Sequence, residues 1–220
     1  MKKSKKLLII LAGMLVLSSC TVAPLTWRRQ LKLVSDESVV DSSVSQYRQF
    51  INEASNKGLV VNNTPDGRRL KNIGNRMATA VETYLRENGL SKKVDSLQWE
   101  FNLIKSNEIN AFAMPGGKIA FYTGIMPVLQ TDSGIAFVMG HEIGHVIGGH
   151  HAEGESGRLA AGVASTITDV FTGGNVISSI VSDGLSIGLL KFNRTQEYEA
   201  DKYGMIFMAM AGYNPEDAIK

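Results

Sequence analysis

The chain has 220 residues, 44% of them hydrophobic and 20% charged, a balance that excludes a disordered polymer and leaves room for one domain with its own core. Four of its 23 basic residues and none of its 21 acidic ones lie in the first nineteen positions, so the remainder holds 19 against 21, a net of −2. The overall +2 is therefore no argument for nucleic-acid binding, and a single cysteine excludes an internal disulfide.

Lys2, Lys3, Lys5 and Lys6 precede an apolar run from Leu7 to Leu17, followed by Ser18, Ser19 and Cys20. Eleven residues fall well short of the roughly 20 that a membrane-spanning helix needs. Residues 1–19 thus read as a secretory leader. Leu17-Ser18-Ser19-Cys20 resembles a bacterial lipobox, which implies lipidation of Cys20 and attachment to a membrane. Residues 20–34, with Pro24 near their start, are then expected to be a tether, and residues 35–220 the folded domain. Thr21 rather than an aspartate after the lipidated cysteine points to the outer membrane, facing the periplasm.

Within the domain, Val39, Val40, Val44, Tyr47, Phe50, Ile51 and Ala54 recur at helical spacing, and Gly58 ends that segment. A second amphipathic helix is predicted from about Asp66 to Asn88, with Leu70, Ile73, Met77, Val81, Tyr84 and Leu85 on one face. The period then falls to two. Leu97, Trp99, Phe101 and Leu103 alternate with polar residues, as a half-buried strand does. Residues 109–114 and 118–122 flank Pro115-Gly116-Gly117, a tight hairpin connection. Asp132 or Ser133 is expected to cap a helix that runs into the histidines. Residues 159–190 are apolar and rich in Gly, Ser and Thr; Asp169 and Asp183 interrupt them, so neither piece reaches membrane-spanning length. A last helix is predicted from Thr195 to Met210, ending at Gly212.

His141-Glu142-Ile143-Gly144-His145 is the strongest chemical signal. Helical residues four apart share a face, so both imidazoles can reach one zinc ion. Glu142 projects to an adjacent side, where it can take the proton of a metal-activated water as that water attacks a peptide carbonyl. Two histidines and a water leave one protein ligand open. His151 fits a spacing in which Gly148 turns the chain back to supply a third histidine. A glutamate of Glu197-Tyr198-Glu199-Ala200-Asp201 on the last helix is the other candidate.

Three segments together, His141 to His150, Asn110 to Gly117 and Arg194-x-x-Glu197-x-x-Ala200-Asp201, resemble the zinc peptidases of the HtpX and CAAX prenyl endopeptidase group. That group includes exported lipoproteins and periplasmic members, and the resemblance covers roughly residues 35–217. It implies an α+β domain of the minimal gluzincin type, mainly helical, with a small β-sheet packed on the HExxH helix. It implies one zinc ion per chain, held by His141, His145 and Glu197, with Glu142 as general acid/base. Asp201 matches a residue that orients a ligand histidine. Glu199 would point from another face of its helix. Asn110, Ala111, Phe112 and Ala113 match an edge strand along which an extended substrate backbone lies.

Asn193 stands where the family usually has serine before the arginine. The group also continues beyond the position of Lys220 into a further helix and often a His-Pro segment. For an oxyanion-stabilising group this chain offers Arg194, Tyr198 and Tyr203. His150 is expected to pack or cap, His151 to face solvent, and part of 159–190 to form a lid over the site.

The function expected is hydrolysis of internal peptide bonds in unfolded or misassembled cell-envelope proteins. The alternative is an envelope assembly factor or chaperone with a latent or gating zinc site. Partners are then protein or peptide substrates and a membrane reached through Cys20, with no nucleic acid.

Overall fold

The computed structural model describes residues 20–172 and 192–218. The expected leader lies outside them, as does 173–190 of the expected lid. No described helix is long and apolar enough to cross a membrane.

The chain opens with a hairpin of β1 (Cys20–Val22) and β2 (Arg29–Leu31). Helix α1 (Asp36–Asn56) starts at Ser35, whose side chain accepts a hydrogen bond from the Ser38 amide, and ends at Gly58 with φ +65°. Thr64 caps α2 (Pro65–Glu87) in the same way, with Pro65 in the first turn. A short α3 (Ser91–Asp95) leads to the sheet strands β3 (Glu100–Ile104), β4 (Ala111–Met114) and β5 (Lys118–Tyr122). After a 3-10 turn and α4 (Met126–Leu129), helix α5 (Asp132–Ile147) carries the HExxH motif. Its cap is Thr131, one residue earlier than expected, because the Thr131 side chain reaches the Gly134 amide. Helices α6 (His150–Thr172) and α7 (Arg194–Met210) complete the domain.

In the sheet, β5 is central, parallel to β3 and antiparallel to β4. The expected alternation of buried and exposed residues in β3 does not occur: Phe101, Asn102, Leu103 and Ile104 are all buried. Both faces are covered. Phe101, Leu103, Ala113, Ile119 and Phe121 pack into the main core with α2, α5 and α7. Ile104, Phe112, Met114 and Ala120 pack on the other face against Tyr47 and Ala54 of α1. Asn102 tolerates burial because its amide donates to the Tyr47 hydroxyl (3.0 Å) and its carbonyl accepts from Asn62 (2.7 Å).

The two edges of the sheet differ. Residues 59–61 pair with β3 through Val61 N–H to Leu103 O (2.9 Å) and Lys105 N–H to Leu59 O (2.7 Å). On β4, the Tyr122 amide donates to Asn110 O (3.0 Å), so the groups of Asn110, Phe112 and Met114 face β5. Antiparallel alternation therefore turns the N–H and C=O of Ala111 and Ala113 towards the outer edge.

Helices α5 and α7 pack backbone to backbone. A methyl group at Gly140 would come within 2.9 Å of the Gly204 Cα, and one at Gly144 within 2.8 Å of the Ala200 carbonyl oxygen. Side chains at these positions would force the helices apart; glycine lets the motif helix and the Glu197 helix share one site.

The segment read as a tether is a correction. Residues 20–31 form a hairpin docked on α6 and α7, with Ala23 fully buried and Gln30 donating to the Gly148 carbonyl (2.6 Å). Its polar residues find partners more than a hundred positions away, so nothing local marks it as folded.

Candidate metal centre

On α5, His141 and His145 stand one turn apart with Nε2 atoms 3.1 Å from each other. Helix α7 brings Glu197 to the same point. One carboxylate oxygen lies 3.5 Å from His141 Nε2 and the other 3.9 Å from His145 Nε2. Ligands held at 2.0–2.1 Å around a tetrahedral zinc stand about 3.3 Å apart. The three separations bracket that value, so this donor set fits a zinc ion. It is the one such cluster among the described residues.

Helix α7 is placed by its N-terminus. Asn193 accepts from the amides of Thr195 and Gln196, and the Gln196 side chain accepts from the Asn193 amide, a reciprocal capping box. The departure from serine at 193 thus keeps the capping chemistry.

The outward nitrogens of the two histidines have different partners. His141 Nδ1 lies 2.8 Å from Asp201 Oδ1. His145 Nδ1 lies 2.9 Å from Nδ1 of His150, whose Nε2 is 3.1 Å from Glu199 Oε2. Phe192 lies flat on the His145 ring, with centroids 3.9 Å apart. Burial, then the neighbouring imidazoles His150 and His141, push His145 down to about 2, which keeps the ring neutral as a metal requires.

Glu142 is half-buried beside the outer edge of β4, where its Oε2 accepts from the Ala113 amide at 3.3 Å. Burial raises its carboxyl to about 8; the Ala113 bond opposes that rise and the charge of Glu197 adds to it. The motif glutamate and the Asn110–Ala113 segment therefore meet at Ala113.

Several expectations change here. His151 does not face solvent: it is 3% exposed and lies against the backbone of Ala113 and His145. The turn at Gly148 and Gly149 (φ +72°) starts a new helix, α6, and His151 is not among the clustered donors. Burial pushes it down to about 3, so it packs as a neutral ring. His150 is fully buried, in keeping with the expected packing role, and Glu199, though off the side that faces the ligand cluster, is buried and bonded on both oxygens. Of the oxyanion candidates, Tyr203 is fully buried with its hydroxyl accepting from the Leu25 amide (3.2 Å), which removes it. Tyr198 is 76% exposed.

The roles of Gly140, Gly144 and Gly204 and of the Arg28 hairpin were not read from the sequence. For the glycines a signal existed: Gly140-x-x-x-Gly144 and Ala200-x-x-x-Gly204 are small residues at one-turn spacing.

The model of peptidase family M48 matches residues 67–220. Mitochondrial metalloendopeptidase OMA1 of Arabidopsis thaliana is 32% identical over 125 residues, 57% of this chain and 25% of that protein. Metalloprotease LoiP of Escherichia coli is 29% identical over 133 residues, 58% of this chain and 52% of its own. The beta-barrel assembly-enhancing protease of Escherichia coli is 28% identical over 130 residues, 54% and 26%. The matched region thus spans between a quarter and about half of each of these relatives.

Proposed function

The chain belongs to peptidase family M48, and from that premise we propose that it is a zinc-dependent endopeptidase. The observation that carries the reading is one point in space. His141, His145 and Glu197 converge at tetrahedral ligand spacing, and Glu142 stands beside them at the outer edge of β4.

In this reading His141, His145 and Glu197 hold one zinc ion, with Asp201 fixing the tautomer of His141. Zinc held there supplies Lewis acidity that polarises a peptide carbonyl and makes water a nucleophile near neutral pH. Glu142 takes the proton of the attacking water and returns it to the leaving amine; its burial favours the second step by making the protonated carboxyl accessible. The substrate backbone adds to β4 through the outward groups of Ala111 and Ala113, a mode that selects extended, unfolded chains over folded ones.

The leader-like residues before Cys20 support export and lipid attachment there, and so action on unfolded or misassembled proteins of a bacterial envelope, at the outer membrane facing the periplasm.

The test is zinc content and casein cleavage by the purified chain and by Glu142→Gln and Glu197→Ala. Zinc in wild type and Glu142→Gln, cleavage by wild type alone, and metal lost from Glu197→Ala are expected. Zinc without cleavage by the wild type would favour an assembly factor with a latent or gating site.

A further inference from the structure

A metal on Nε2 of His145 fixes the hydrogen-bond polarity of the groups behind it. With Nε2 turned to the ligand cluster, the proton of the neutral ring sits on Nδ1. That N–H donates to Nδ1 of His150 at 2.9 Å. His150 then carries its own proton on Nε2 and donates to Glu199 Oε2 at 3.1 Å. The chain of donors ends on a carboxylate, as a metal-binding histidine usually requires, but one imidazole further out than for His141.

Glu199 is itself held from the N-terminal hairpin. Arg28 Nε donates to its Oε2 at 2.7 Å, and the Thr26 hydroxyl donates to its Oε1. The two NH2 groups of Arg28 form a bidentate pair with Glu153 on α6, at 2.7 and 2.6 Å, and Gln196 donates to that same glutamate at 2.8 Å. His145, His150 and Glu199 are all at most 5% exposed. A carboxylate buried to that extent stays in place only while a cation and full hydrogen bonding hold it.

We propose that Arg28 is a positioning residue for the metal centre, acting through Glu199 and His150 on His145. The inference rests on the metal-site reading above and adds to it that the N-terminal hairpin is part of the site's support. Without the Arg28 guanidinium, Glu199 rotates towards water, His150 loses its acceptor, and the His145 ring is no longer held in one orientation. Linkage makes the coupling reciprocal: if a seated hairpin strengthens zinc binding, zinc strengthens the seating of the hairpin by the same factor.

The experiment is zinc affinity, measured by chelator competition on the full chain, for wild type, Arg28→Gln, Glu199→Gln, the double variant and Glu153→Gln. Melting temperatures of the metal-free forms control for folding. Arg28→Gln and Glu199→Gln are each expected to weaken zinc about tenfold or more. The double variant should be no weaker than Glu199→Gln alone, because both act along one chain of bonds. Glu153→Gln breaks the bidentate pair but leaves Nε on Glu199, and should leave affinity unchanged. In wild type, zinc should slow amide exchange at Ala23 and Leu25, and in Arg28→Gln it should not.

Equal zinc affinity in wild type and Arg28→Gln overturns the inference alone. A loss in Glu153→Gln equal to that in Arg28→Gln overturns the route through Glu199, because the zinc site would then sense how firmly the hairpin is seated and not the contact of Arg28 Nε with Glu199. A wild type that binds no zinc overturns the metal-site reading itself.

Discussion

A methyl group at Gly204 would sit 2.9 Å from the backbone nitrogen of His141. The first motif histidine is thus placed by direct contact between the backbones of α5 and α7, with no side chain between them to yield. Gly204→Ala is expected to push the helices apart, at a cost of about 1–3 kcal/mol for an overpacked contact. It should also spread the three candidate ligands. Thermal melts and zinc titration check both effects. A variant that melts lower and binds zinc normally would show that the close approach serves stability only.

Glu197 and His151 were rival third ligands, and they now call for opposite outcomes. Glu197→Ala removes a donor that is 46% exposed at the side chain, so it should cost little stability and abolish zinc binding. His151→Ala empties a buried position against Ala113 and His145. It should cost about 2 kcal/mol of stability and keep the metal. Zinc retained in Glu197→Ala and lost in His151→Ala would reverse the assignment.

Periodicity revealed α1, α2 and the α5 motif because each helix carries its own pattern, and Pro115-Gly116-Gly117 announced the β4–β5 turn because Gly116 (φ +87°) and Gly117 (φ +77°) need glycine. What escaped depends on distant partners. Asn102 and Glu100 made β3 look half-solvated, yet Asn102 is satisfied inside the core by Tyr47 and Asn62. Thr26, Arg28 and Gln30 looked like linker, since their partners Glu199, Glu153 and Gly148 come from the other end of the chain. His150 packs inward as its position past the motif suggests, but His151 reads as solvent-facing, whereas α6 begins at His150 and turns both inward.

Asp36, in the first turn of α1, lies 2.6 Å from Lys32 and 3.6 Å from Lys93. Burial alone would raise its carboxyl, but Lys93 and Lys32 together hold it below the ordinary value. A depressed carboxylate contributes stability that is complete above the unfolded value of about 3.9 and disappears as pH falls through the lower folded value. Asp36→Asn should therefore melt below wild type at pH 6, with the gap closing under about pH 4. A gap unchanged at pH 3 would mean that packing, not charge, is responsible.

Strand addition at β4 makes a kinetic prediction separate from metal binding. Only Ala111 and Ala113 turn their N–H and C=O groups to the outer edge, and the Ala113 amide is already within reach of Glu142 at 3.3 Å. In the proposed mode of binding, the Ala111 amide is thus the donor left for a substrate backbone. Ala111→Pro removes that donor without breaking the bonds of Phe112 to β5, because proline is tolerated in a strand where its missing N–H faces outward. One hydrogen bond is worth about 0.5–1.5 kcal/mol net, so kcat/KM for an unfolded protein should fall about 2- to 10-fold, chiefly through KM. Zinc content and the metal-free melting temperature should hold. For a peptide too short to reach Ala111 the variant and wild type should behave alike. An equal loss on both substrates would place the defect in the chemistry, and no loss on either would mean that substrates do not pair with this strand.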